Sequence, residues 1–141
     1  MSHDMVIGEV SKRTGVKVGT IRYYESIGLL PVPPRTSSNR RTYVAADVQR
    51  LRFIRHAREL GFEIDAIRQL LALAGLPQEP CDAADAIARE HLAGVEGRIA
   101  RLVALRDELS AMVEQGSHGS IAECRVIEVL ADHGECETET H

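Results

Sequence analysis

The residues best suited to chemistry are three cysteines and a set of histidines gathered in the second half of the chain: Cys81, then His118 and Cys124, then His133, Cys136 and His141. Thiolate sulfur and imidazole nitrogen are the ligands that suit Zn(II), Cd(II), Pb(II) and Hg(II). A Cys-His-Cys set completed by a carboxylate or solvent can give a tetrahedral zinc site. Cys81, His118 and Cys124 are the primary candidate ligands, with Asp82 and Glu123 as neighbours for a fourth position. Cys136, His133 and His141 are accessory candidates. A lone buried cysteine is more often a small hydrophobe, and a loop histidine is usually just solvated. For Cys136 that plainer reading prevails, and His56 and His91 are read as surface or interface residues. Three dispersed cysteines suit neither an iron–sulfur cluster nor a disulfide framework.

A second constellation lies near the other end: Lys17, Thr20, Arg22 and Tyr23, then Arg40, Arg41 and Tyr43. Cations and hydroxyls on a short helix and a polar turn suit phosphate oxygens and base edges. The alternative is that the tyrosines pack and the arginines are solvated surface. Overall charge argues weakly against nucleic acid, at -4, but residues 1–72 hold 12 Lys and Arg against 7 Asp and Glu, while residues 73–141 hold 5 against 14. A basic head can neutralise phosphates while an acidic second half stays clear of the duplex and offers ground for cations.

The elements that must position these groups follow from periodicity. Val6, Ile7 and Val10 predict a short helix closed at Thr14-Gly15, and Val18–Ile27 predicts a second, the candidate recognition helix, ending at Gly28. Pro31, Pro33 and Pro34 cannot continue it, and the arginine-flanked turn to Tyr43 reads as a β-wing. Apolar spacing predicts helices over 45–60 and 64–74. Gly75 to Pro80 reads as a linker. Ala88, Leu92, Val95, Ile99, Leu102, Arg106, Leu109 and Val113 then keep a four-three rhythm without proline, predicting one long coiled-coil helix. Nothing else in 141 residues covers such a seam, so a second copy of the chain is expected, paired antiparallel. That pairing would set Cys81 of one protomer beside the loop of the other, making two equivalent sites. The expected division is a head at 1–74, a linker at 75–80, a dimerisation helix at 81–115, a sensing loop and short helix at 116–132, and a polar tail at 133–141. No apolar run approaches membrane-spanning length and no export signal is visible, so the cytoplasm is the expected compartment.

The blocks Ile7-Gly8-Glu9-Val10, Thr14-Gly15-Val16, Thr20-Ile21-Arg22-Tyr23-Tyr24-Glu25, Gly28-Leu29-Leu30, Asn39-Arg40-Arg41-Thr42-Tyr43 and Leu60-Gly61-Phe62 together resemble the MerR family over residues 5–72. The second half resembles, more loosely, its metal-responsive branch of zinc, cadmium, lead and mercury regulators. The resemblance implies a mainly α fold: a winged helix-turn-helix head, a long antiparallel coiled-coil dimerisation helix and a C-terminal metal-binding loop. It further implies a homodimer on double-stranded promoter DNA, activation by distorting that DNA, and RNA polymerase as partner at the promoter. In the family a cysteine at the position of Cys81 accompanies divalent ions, and a serine monovalent ones, which favours Zn(II) or Cd(II), with Pb(II) or Hg(II) as alternatives. One departure is visible: relatives usually open the loop with a cysteine, where this chain reads Glu114-Gln115-Gly116-Ser117-His118. Either His118 replaces that thiol, or Cys136 with His133 or His141 folds back to complete the site or to form a second one.

The rival reading is a regulator that senses oxidants or electrophiles through a thiolate, foremost Cys124, without metal. A cysteine enzyme using Cys124 and His118 leaves the basic head unexplained and lacks a scaffold for a substrate pocket.

Overall fold

The computed structural model describes residues 4–38, 40–115 and 119–132. It is mainly helical: α1 (Ile7–Thr14), α2 (Val18–Ser26), α3 (Ala45–Glu59), α4 (Ile64–Ala74), α5 (Asp82–Glu114), a 3-10 turn (Ile121–Glu123) and α6 (Arg125–Ala131). The chain divides into two compact units, Met1–Arg89 and Glu90–His141, the division falling within α5. No helix among the described residues is long and apolar enough to cross a membrane.

The first unit is built on one core. Val10, Ile21, Tyr24, Leu29, Leu30, Tyr43, Val48, Leu51, Ile54 and Ile67 are all buried, so α1, α2, α3 and α4 each contribute the apolar stripe that their spacing predicted. The turn between α1 and α2 rests on Gly15, whose φ of 75° lies in the left-handed region, and whose N–H donates to the Ser11 carbonyl at 2.9 Å. Thr14 is buried beside it, yet satisfied: its hydroxyl donates to the Val10 carbonyl at 2.9 Å and accepts from the Val16 N–H at 3.1 Å. Helix α3 begins where the Asp47 carboxylate accepts the Val44 N–H at 2.9 Å.

Arginines fasten these helices together. Arg55 donates to the Thr14 carbonyl at 2.7 Å and Arg52 to that of Arg13 at 3.1 Å, so two α3 side chains cap the C-terminus of α1. Arg50 reaches the Leu29 carbonyl at 2.8 Å, and Arg68 of α4 reaches that of Ile27 at 3.0 Å, closing the end of α2. Part of the positive balance of the head is therefore committed to backbone carbonyls, even though its charge still contributes to the field.

The expected wing is a narrow hairpin held by two isolated antiparallel bridges, Arg35 with Arg41 and Met5 with Tyr43, and the described residues contain no continuous strand. Proline explains this brevity. Pro31, Pro33 and Pro34 have no N–H to offer a ladder, so pairing begins only where Thr42 donates to the Pro34 carbonyl at 3.1 Å and Thr36 to that of Arg40 at 2.6 Å.

In the second unit, Leu102, Leu105, Leu109 and Val113 stand more than half exposed along α5, and they line a groove of about 660 Å³ with Arg106, Ser110 and Glu114. Leu92 and Ile99, which continue the same four-three rhythm toward the start of the helix, are equally exposed. Met112 alone among the described α5 residues is buried. Among the described residues nothing covers the seam.

Candidate nucleic-acid interface and metal-ligating residues

Lys17 is the residue before α2 and is exposed; Arg22 and Tyr23 point outward from that helix, Tyr23 with 54% of its surface accessible, and Thr20 is half-buried. Arg22 shares a groove of about 630 Å³ with Arg35, Arg40 and Arg41 of the hairpin and with Val6, Ile7 and Gly8 at the start of α1. Four arginines and the first residues of α1 line one depression, a setting whose chemistry suits an anion of phosphate size and charge. Arg35 was missed as a site residue by sequence reasoning. The signal available was its place across the hairpin from Arg41, visible only once the turn was given a register.

Tyr43 is a correction. Expected at the interface, it has no accessible surface. Its N–H and carbonyl both pair with Met5 at 2.8 Å, which turns the ring inward, and its hydroxyl donates to the Glu25 carboxylate. Burial, and then the adjacent Glu25 carboxylate, push the phenol up to about 12. Arg41 keeps partial access, but it too is engaged, donating to the other Glu25 oxygen at 2.7 Å. Glu25 was not singled out in the sequence, and it is the buried hub joining α2 to the hairpin.

Cys81 is exposed in the residue before α5, and Cys124 is half-buried as the residue before α6. Asp82 and Glu123, the neighbouring carboxylates, are both exposed. Among the described residues no three His, Cys, Asp or Glu side chains converge within one chain. His118, His133, Cys136 and His141 lie outside the described residues.

A depression containing four arginines on a helix-turn-helix frame, followed by a long helix with an open apolar seam, defines a DNA-binding regulator architecture. Comparison with known proteins makes the assignment specific: residues 5–74 match the model of the MerR HTH family regulatory proteins, and residues 48–112 match that of the MerR DNA-binding region. The chain belongs to the MerR family. It is 41% identical over 130 residues to the HTH-type transcriptional regulator HmrR of Sinorhizobium medicae, spanning 92% of this chain and 88% of that one. It is 39% identical over 127 residues to the HTH-type transcriptional regulator ZntR of Escherichia coli K12, spanning 88% and 90%. Among solved structures, the transcription regulator PbrR691 of Ralstonia metallidurans, in complex with lead(II), superposes with a TM-score of 0.79 at 38% identity, over 89% of this chain and 98% of that one. These relatives are transcriptional regulators, not enzymes.

Proposed function

We propose that this chain is a cytoplasmic, metal-responsive transcriptional regulator that binds promoter DNA as a homodimer and activates transcription by distorting that DNA when a divalent thiophilic ion binds. The observation that carries this reading is α5: a 33-residue helix with an exposed apolar seam, preceded by one cysteine and followed by another. Such a helix rises about 50 Å, so antiparallel pairing of two copies would bring Cys81 of one protomer toward Cys124 of the other. Cys81, Cys124 and His118 would hold the ion, with Asp82 or Glu123 available as oxygen donors. The donor chemistry fits Zn(II) or Cd(II), and with more thiolate character Pb(II) or Hg(II). Relatives with metal in their descriptions, such as the lead(II)-bound regulator, support the same class of effector.

Bound there, the ion would supply a cross-link between donors of two protomers. The chain's own part is mechanical and electrostatic. Paired α5 helices fix the spacing of the two heads, and Lys17, Thr20, Arg22, Tyr23, Arg35, Arg40 and Arg41 grip phosphates and base edges, so a change in pairing is felt by the duplex as bending or twist. RNA polymerase then meets a promoter whose geometry has changed.

The test is a titration of reduced protein with Zn(II), Cd(II), Pb(II) and Hg(II), read as ions bound per chain and as metal-dependent transcription from the chain's own promoter. Wild type is expected to bind one ion per chain, with Cys81→Ser and Cys124→Ser each losing it. Retention of full stoichiometry in both variants would sink the intersubunit site. A single hyper-reactive thiol with no metal uptake would move the reading to an oxidant or electrophile sensor.

A further inference from the structure

We propose that Glu25 is an internal counter-ion that competes with a DNA phosphate for Arg41, and thereby limits how tightly the arginine groove grips the backbone. This rests on the DNA-binding reading above. Glu25 is 6% exposed, on the recognition helix, with both carboxylate oxygens engaged: one accepts from Tyr43, the other from Arg41 at 2.7 Å. Arg41 is not buried with it. Its side chain stays 30% accessible and lines the groove beside Arg22, Arg35 and Arg40. One cation thus faces a buried carboxylate on one side and the candidate phosphate site on the other.

A desolvated carboxylate needs its partners, so Glu25 holds Arg41 firmly. A guanidinium carries five donors in a planar fork, and one carboxylate does not exhaust them. When a phosphate enters the groove, Arg41 is shared between two anions, and the Glu25 charge offsets its positive charge. An acidic group at that place opposes non-specific binding, which depends on net phosphate neutralisation. It also holds Arg41 in one orientation, so grip requires a duplex whose backbone meets the fork where it is held. Glu25 is a positioning residue that acts through Arg41.

Glu25→Gln keeps the shape and an acceptor for Tyr43 while removing the charge. The experiment measures the salt dependence of full-length protein binding to a duplex of unrelated sequence, for wild type, Glu25→Gln, Arg41→Ala and the double variant. Releasing one cation to a phosphate steepens the slope of log K against log salt by ~0.9, so halving the salt strengthens the variant's binding about twofold more than wild type's. The increment is expected to vanish in the Arg41→Ala background. A Glu25→Gln slope equal to wild type, or an increment that survives removal of Arg41, overturns the proposal. Should Glu25→Gln fail to fold, guanidinium NMR signals of isotope-labelled wild type decide: Arg41 signals that move on adding the duplex support it, and Arg41 signals that stay fixed while those of Arg40 move overturn it. Wild type without salt-dependent binding to any duplex would instead remove the DNA-interface reading itself.

Discussion

The helix-turn-helix depends on Gly15 in two separable ways, and replacing it by alanine tests both. Its φ of 75° costs an L-residue with a Cβ roughly 1 kcal/mol. The new Cβ would also stand 2.2 Å from Arg55 Nη1 and 2.9 Å from its Cζ, closer than any real contact, so the guanidinium must move. In moving it gives up the 2.7 Å hydrogen bond to the Thr14 carbonyl. Hydrogen bonds to charged groups contribute about 1.5–3 kcal/mol, and a half-exposed side chain that can be resolvated sits at or below the lower end, near ~1 kcal/mol. The pairing of Arg55 with Glu59 is exposed and adds little. Gly15→Ala should therefore destabilise the head by about 2 kcal/mol, read by urea unfolding at one fixed protein concentration because self-association contributes to stability. In an Arg55→Ala background only the backbone cost remains, about 1 kcal/mol, so the two substitutions should be less than additive by about 1 kcal/mol. Strict additivity would refute the claim that Gly15 is small in order to let Arg55 cap α1.

Two further outcomes follow from the same geometry. Leu102→Glu should weaken self-association by on the order of 100-fold or more, measured by sedimentation, because burial of a leucine is worth ~1.5–3 kcal/mol and symmetry counts it twice; an unchanged dimer would exclude the α5 seam as the interface. Tyr43 should ionise late, near pH 12 in an ultraviolet titration, and that step should be absent from Tyr43→Phe. Because the folded value lies above the ordinary 10, the associated stability, roughly 2–3 kcal/mol, is complete below pH 10 and is lost as pH rises through about 12. A wild-type stability that is flat across that window would contradict it.

The helices of the head were legible because each carries its own evidence: Val18 and Ile21, Val48, Leu51 and Ile54, and Ile67 and Leu71 stand at helical spacing within α2, α3 and α4, and Gly15 marks the turn. Tyr43 was misplaced for the opposite reason. Beside Arg40 and Arg41 it completes a basic and aromatic cluster, and what turns it inward is a backbone bridge to Met5 that no local pattern announces. Glu25 was passed over because its partners stand 16 and 18 residues away. The arginines of α3 show the same limit on a larger scale: Arg55 finds its carbonyl 41 residues back, so a count of positive charge could reveal a basic head without separating cations that hold helices from cations that face the groove.

That distinction sharpens what the charge asymmetry implies. Arg50, Arg52, Arg55 and Arg68 add to the field that draws a polyanion, yet each spends one donor on a backbone carbonyl that fastens the head together. Arg22, Arg35, Arg40 and Arg41 line the groove, and Arg41 is at the same time paired with the buried Glu25. On the proposed reading, a head made this way would attract duplex DNA broadly while shape decides where it stays. Indirect readout needs that balance, because a head that held every phosphate tightly would have little sensitivity to whether the duplex bends. On the same reading, the exposed seam of α5 would supply the other requirement, a surface on which a second copy of the chain brings a second head to the duplex.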